Sequence, residues 1–135
     1  MLDFLQFDPP DAELVDFYRG YLICATWATG STHPFSGELL ESLVEFEPSP
    51  AFQQQAWADC KAFWQTHFAR MQNLCIKHYT DWVQMGHDFW LTRNGHGSGF
   101  WDRGYGSEGQ LLTQAAEQYS EIHLYLGDDL LIYGE

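Results

Sequence analysis

Positive charge is scarce in this 135-residue chain: six Lys and Arg stand against nineteen Asp and Glu, a formal net charge of −13. Residues 1–60 hold ten acids and one base, Arg19, whereas residues 61–135 hold nine acids and five bases. This balance argues against direct nucleic-acid binding, because affinity for phosphates rests on clustered Lys and Arg. Long apolar runs are also missing. None approaches the roughly 20 residues needed to cross a bilayer, and the opening "MLDFLQFDPP" lacks the basic stretch of a signal peptide. The chain is therefore expected to have no membrane association. Cysteine is sparse and unpaired in pattern. Cys24, Cys60 and Cys75 form no CxxC motif, and their number is odd. All three fall in helix-like apolar patterns, which fits reduced, buried thiols of a cytosolic protein. Nothing in the pattern calls for a cofactor.

What is present is apolar and aromatic. Hydrophobic residues make up 45% and aromatic residues 17% of the chain, with six Trp, seven Tyr and ten Phe. That is enough for the core of one domain without help from metal or disulfide. Residues 1–135 show no internal repeat and no linker, so a single domain is expected.

Asp11 follows Pro9 and Pro10 as a helix cap, and Leu14, Phe17, Tyr18, Tyr21, Leu22, Ala25 and Ala28 recur at helical spacing. A helix over 11–29 is expected, stopped by Gly30. Residues 30–50 read as loop, with a short helix possible within "ELLESLVEFEPSP". Glu38, Glu41, Glu45 and Glu47 make this the most negative stretch. Ser49-Pro50 then opens a long helix, about 50–78. Its core face carries Phe52, Ala56, Cys60, Phe63, His67, Met71, Leu74 and His78. His67 and His78 lie eleven residues apart, which suits buried, hydrogen-bonded histidines better than metal ligands. Thr80 is read as capping a further short turn closed by Gly86. Ser107 and Gln110 form a capping-box pattern before a helix over 107–119. "EIHLYLGDDLLIYGE" reads as strand, Gly127-Asp128-Asp129 turn, strand.

The densest stretch is "HDFWLTRNGHGSGFWDRG", residues 87–104. Asn94-Gly95 is a strong hairpin signal, since a type I′ turn needs positive φ at both central residues. Strands over 87–93 and 97–103 are therefore expected. One register pairs His87 with Asp102; a four-residue loop, Asn94 to Gly97, pairs Trp90 with Trp101 and Asp88 with Arg103 instead. The fold class expected is α+β: N-terminal helices packed on a small antiparallel sheet of two hairpins with an intervening helix.

Several uses of that hairpin compete. His87, His96 and Asp102 could bind a metal with water, or His87 and Asp102 could act as an acid–base pair beside Ser98. "GHGSG" could cradle phosphate, although the known cradles lead into a helix. The glycines could simply let Trp90 and Trp101 pack closely. Alternatively, Trp90, Arg93, Trp101 and Arg103 could anchor a protein interface, because such residues bury much area at low entropic cost.

"GHDFWLTRNGHGSGFWDRG", "EIHLYLGDDLLIYG", "FYRGYLICATWA" and "ADCKAF" together resemble a set of small uncharacterised tailed-bacteriophage proteins with a DFWLTRNGHGxGFWDR core and a YxGDDGxIY ending. The resemblance spans most of residues 14–133. Leu130 stands where those proteins usually carry glycine, and segment 30–50 differs from theirs. The resemblance implies a phage origin and action in the host bacterial cytoplasm, without implying an activity. It places His87, Asp88, Asn94, His96, Asp102 and Arg103 at shared positions. The expected function is that of an accessory protein that binds a host protein with a basic surface, as an acidic mimic of nucleic acid. Its binding residues would be Asp88, Trp90, Arg93, Asn94, Trp101 and Arg103, together with Glu38, Glu41, Glu45 and Glu47. The alternative is a small metal-assisted hydrolase built on His87, His96 and Asp102. A virion or assembly component is a third reading, for which self-association would be the sign.

Overall fold

A computed structural model describes residues 12–96 and 98–135. It holds four α-helices: α1 (Ala12–Ala28), α2 (Pro50–Lys77), α3 (Trp82–Arg93) and α4 (Gly106–Glu117). Five short strands complete it: β1 (Ser31–Thr32), β2 (Leu39–Leu40), β3 (Glu47–Pro48), β4 (Leu124–Leu126) and β5 (Leu131–Gly134). The α+β class is as expected, but the sheets are not two hairpins around a helix. β1 and β2 pair antiparallel. β3, β5 and β4 form a mixed sheet in that order, with β3–β5 parallel and β4–β5 antiparallel. Only the C-terminal hairpin is where the alternation placed it.

The bounds of α1 and α2 follow their sequence patterns closely, but on the face expected to be buried in α2 His67 is only half-buried and His78 is exposed. Ser49 Oγ accepts from Phe52 N at 3.1 Å, and Pro50 sits in the first turn, so the N-terminus of α2 is capped as its sequence suggests. The cap expected at Asp11 lies outside the described residues. Segment 42–46 is turn rather than helix. The capping box at Ser107 does not form: α4 starts one residue earlier, after Tyr105, with no side-chain cap.

The main correction concerns residues 87–103. Among the described residues of this stretch there is no hairpin; residues 82–93 are helix α3. Asp81 Oδ1 accepts from Gln84 N at 2.8 Å and starts it, so Thr80 caps nothing and Gly86 lies inside the helix. Asn94 has φ −98° and Gly95 φ +68°. A type I′ turn needs both positive, so Asn94-Gly95 is instead a helix stop. Gly95 N donates to Thr92 O at 3.2 Å and His96 N to Leu91 O at 3.0 Å, the pair of bonds that ends a helix in a left-handed glycine. Phe100–Asp102 then form a single 3₁₀ turn. Neither proposed strand register exists.

α1 and α3 pack backbone to backbone. A Cβ on Gly20 would collide with the Val83 carbonyl, and one on Gly86 with the Phe17 carbonyl. Two glycines thus set the approach of the helices. Around this contact the buried rings of Phe17, Phe63 and Phe89 stack, with Phe63 and Phe89 centroids 4.2 Å apart. Tyr21 meets Trp90 edge-on at 5.2 Å. Each buried ring contributes roughly 1.5–3 kcal/mol through apolar area removed from water, and this cluster joins α1, α2 and α3.

Candidate binding surface

Packing α1 on α3 leaves a groove of about 500 Å³ between their solvent-facing edges. Ile23, Cys24, Trp27 and Ala28 of α1 form one wall. Gln84, His87 and Leu91 of α3 form the other, with Ser98 and Arg103 closing one end. The lining is largely apolar with a few polar groups, the usual character of a recognition pocket. Ile23 and Trp27 stand at its lip, 51% and 69% exposed.

Beneath the groove lies Asp88, fully buried. Its Oδ1 accepts from Arg103 Nε at 3.0 Å and Gln84 Nε2 at 3.0 Å, and Arg103 Nη2 lies 2.9 Å away. Its Oδ2 has no hydrogen-bond partner among the described residues. Burial raises the Asp88 pKa, and the Arg103 ion pair opposes but does not cancel this. The groove's one cation is therefore held by a carboxylate from below. Burial also lowers the His87 pKa, against Asp88 and Asp81, so the ring is neutral near pH 7. Burial, with Asp88 nearby, pushes the Cys24 thiol up to about 11, which leaves it a poor nucleophile.

The second feature is acidic. Glu38, Glu41, Glu45 and Glu47 are all exposed. Among the described residues the ion pairs are Arg70–Glu108, Arg93–Asp59 and Arg103–Asp88, and none involves these glutamates. The segment carrying them is pinned to the end of α1. Leu43 N and Ser42 Oγ both donate to the Thr26 carbonyl, at 2.8 and 3.1 Å. A second groove, lined by Ile23, Thr26, Val44 and Glu47 among others, continues from the first across the Ile23 ridge. Phe35, Leu39 and Val44 are exposed on this same segment. The mixed sheet adds an aromatic face: Tyr125 and Tyr133 stack at 5.7 Å beside Asp128 and Asp129.

The residues singled out from 87–104 divide. Asp88, Trp90 and Arg93 are buried and serve the core rather than a surface. Arg93 ties α3 to three other parts of the chain. Its Nη1 donates to Asp59 Oδ2 at 2.8 Å and to Tyr21 Oη at 3.1 Å, its Nε and Nη2 donate to the Ser120 carbonyl, and its guanidinium lies 5.2 Å from the Tyr119 ring centroid. Asn94 is a tie: its Nδ2 donates to Trp90 O, and its Oδ1 accepts from Ile122 N at 2.8 Å. Trp101 is exposed, and Arg103 and His87 reach the groove. His96 and Asp102 are exposed in the turns after α3. His87, His96 and Asp102 do not meet: among the described residues no group of three or more His, Cys, Asp or Glu side chains is placed to hold a metal ion. The "GHGSG" run leads into a 3₁₀ turn, not the N-terminus of an α-helix.

Sequence reasoning missed Ile23, Trp27 and Leu91. The signal was present in α1, where Ile23 and Trp27 lie four apart and off the phase of Leu14, Phe17, Tyr18, Tyr21, Leu22 and Ala25. Apolar residues outside the core phase of a helix are surface residues. No helix among the described residues is long and apolar enough to cross a membrane. Comparison with protein-family models, with curated proteins and with solved structures finds no match for this chain.

Proposed function

We propose that this chain is a bacteriophage accessory protein that acts in the host cytoplasm by binding. Its acidic surface would occupy the basic groove of a host nucleic-acid-handling or defence protein, and so inhibit it. The observation that carries this reading is the state of Glu38, Glu41, Glu45 and Glu47. All four are exposed, no ion pair among the described residues engages them, and no Lys or Arg occurs between Arg19 and Lys61. Unneutralised charge of one sign steers a partner of the opposite sign and repels nucleic acid itself.

The test is a tagged pull-down from host lysate at about 0.1 M and about 0.5 M salt, where the screening length falls well below 10 Å. A variant carrying Glu38→Gln, Glu41→Gln, Glu45→Gln and Glu47→Gln is run beside the natural chain. The expected result is a nucleic-acid-binding protein held by the natural chain at low salt, released at high salt, and not held by the variant. A partner held equally by both proteins at both salts would overturn the charge reading.

A further inference from the structure

We propose that the groove between α1 and α3 is an anchor pocket for a basic protein segment, and that it takes one large apolar side chain flanked by Lys or Arg. The assignment deepens the acidic-surface reading above and depends on it. The groove has the volume for an aromatic side chain, about 500 Å³, and its walls at Ile23, Trp27, Ala28 and Leu91 are apolar. An exposed indole at the lip offers a face on which an arginine or lysine can lie.

Charge around the pocket is mixed but leans negative at the end of α1: Arg19, exposed one turn before Ile23, is the base on that helix, and Glu41, Glu45 and Glu47 are exposed beyond its C-terminus. The Arg103 cation at its end is matched by Asp88. α1 ends at Ala28 with no basic residue in its last turn, so no side-chain cation from α1 offsets the negative end of the helix dipole beside Trp27. The Thr26 carbonyl holds Ser42 and Leu43, and this fixes Glu41 and Glu45 beside that helix end. A cationic segment crossing the Ile23–Trp27 ridge would meet carboxylates on one side and the apolar pocket on the other. A second copy of this chain is a poor occupant, because two chains of net charge −13 repel each other.

The probe is a fluorescein-labelled nonapeptide of lysines with a central tryptophan, compared by anisotropy with its central-alanine counterpart at about 0.1 M salt. The natural chain is expected to bind the tryptophan peptide about tenfold more tightly, a difference of the size one buried aromatic anchor supplies. Ile23→Ser should abolish the difference and leave the weak binding of the alanine peptide unchanged, and Trp27→Ala should abolish the difference and also weaken the alanine peptide slightly, through loss of the indole face. Both side chains are more than half exposed, so both variants should fold, which circular dichroism checks. Glutamine at Glu38, Glu41, Glu45 and Glu47 should weaken both peptides equally. Equal binding of the two peptides, or discrimination that survives Trp27→Ala, overturns the anchor pocket while leaving the charge reading standing. Binding indifferent to the four glutamines, yet sensitive to Trp27, overturns the charge reading and with it the basic character assigned to the segment. No binding of either peptide overturns both.

Discussion

Arg103 grips Asp88 by a single carboxylate oxygen: Nε and Nη2 both lie about 3 Å from Oδ1, at 3.0 and 2.9 Å, while Oδ2 is buried without a partner among the described residues. A buried carboxylate half satisfied in this way holds its charge at a cost. Its pKa is raised above the ordinary 3.8, with burial the largest cause. A carboxyl raised in the folded state binds its proton more tightly there than in the unfolded chain. Stability from this group is therefore full below 3.8 and is lost as pH rises through the higher folded value. His67 and His87, whose values fall below 6.5 mainly through burial, act at a different pH. They withdraw stability as pH falls from 6.5 towards their folded values. Asp88→Asn isolates the carboxyl. Urea unfolding of both proteins at about pH 7 and about pH 4 should show the natural chain gaining on the variant in acid. A gain on the variant at neutral pH instead would mean that the ion pair outweighs the burial.

Gly86 should tolerate no side chain. Its missing Cβ is the space through which the Phe17 carbonyl of α1 approaches α3. Relief would need movement of main chain, not of a flexible side-chain end. Gly86→Ala is expected to cost about 1–3 kcal/mol by overpacking, even though alanine is the better helix former. The measurement is the urea midpoint at unchanged m-value. A variant as stable as the natural chain would show that α1 and α3 can separate freely.

Arg93 and Asp59 make an unequal pair. The arginine side chain is 4% exposed and the aspartate 26%. Removing the arginine strands the Ser120 carbonyl and the Tyr21 hydroxyl as well as Asp59. Arg93→Ala should cost about 3–5 kcal/mol, the range for breaking a buried charged network. Asp59→Asn leaves an oxygen that can still accept from Nη1 beside partial solvent, and should cost about 1 kcal/mol. Thermal or urea unfolding of the two variants checks the order; equal losses would mean that Asp59, not the carbonyl and hydroxyl, is the partner that matters.

Legibility in the sequence followed the range of the physical cause. α1, α2 and the last hairpin were readable because their signals are local: apolar spacing, a Ser-Pro start, and alternation around Gly127-Asp128-Asp129. Residues 87–103 were misread because Asn94-Gly95 serves two structures that share a left-handed glycine. The deciding quantity is the φ of Asn94, which the dipeptide does not determine. The helical spacing of Met85, Phe89 and Thr92 favoured the helix, and the glycines and aromatic residues masked it. The acidic stretch was legible as composition. The groove was not, since Ile23, His87 and Ser98 become neighbours only when α1 crosses α3 at the two glycines.

Leu130 carries the last prediction. Leu130 N donates to Gly127 O at 2.9 Å and Gly127 N to Leu131 O at 3.0 Å, so Asp128 and Asp129 occupy a tight turn and Leu130 follows it. Its φ is +60°, left-handed, in a residue with a branched side chain. Three-residue loops of this geometry favour glycine at that position. A left-handed non-glycine residue costs roughly 1–2 kcal/mol; glycine removes the strain and returns part of it as backbone entropy in the unfolded chain. Leu130→Gly should therefore raise stability by about 0.5–1 kcal/mol. The Asp129 carboxylate accepts from Tyr133 Oη at 2.6 Å and from Leu131 N at 3.0 Å, which holds the turn whichever residue stands at 130. The check is the unfolding midpoint of Leu130→Gly against Leu130→Ala. Alanine keeps the strain and loses the side chain, so it should be the less stable of the two. If alanine matched glycine, the left-handed conformation would not be what position 130 costs the fold.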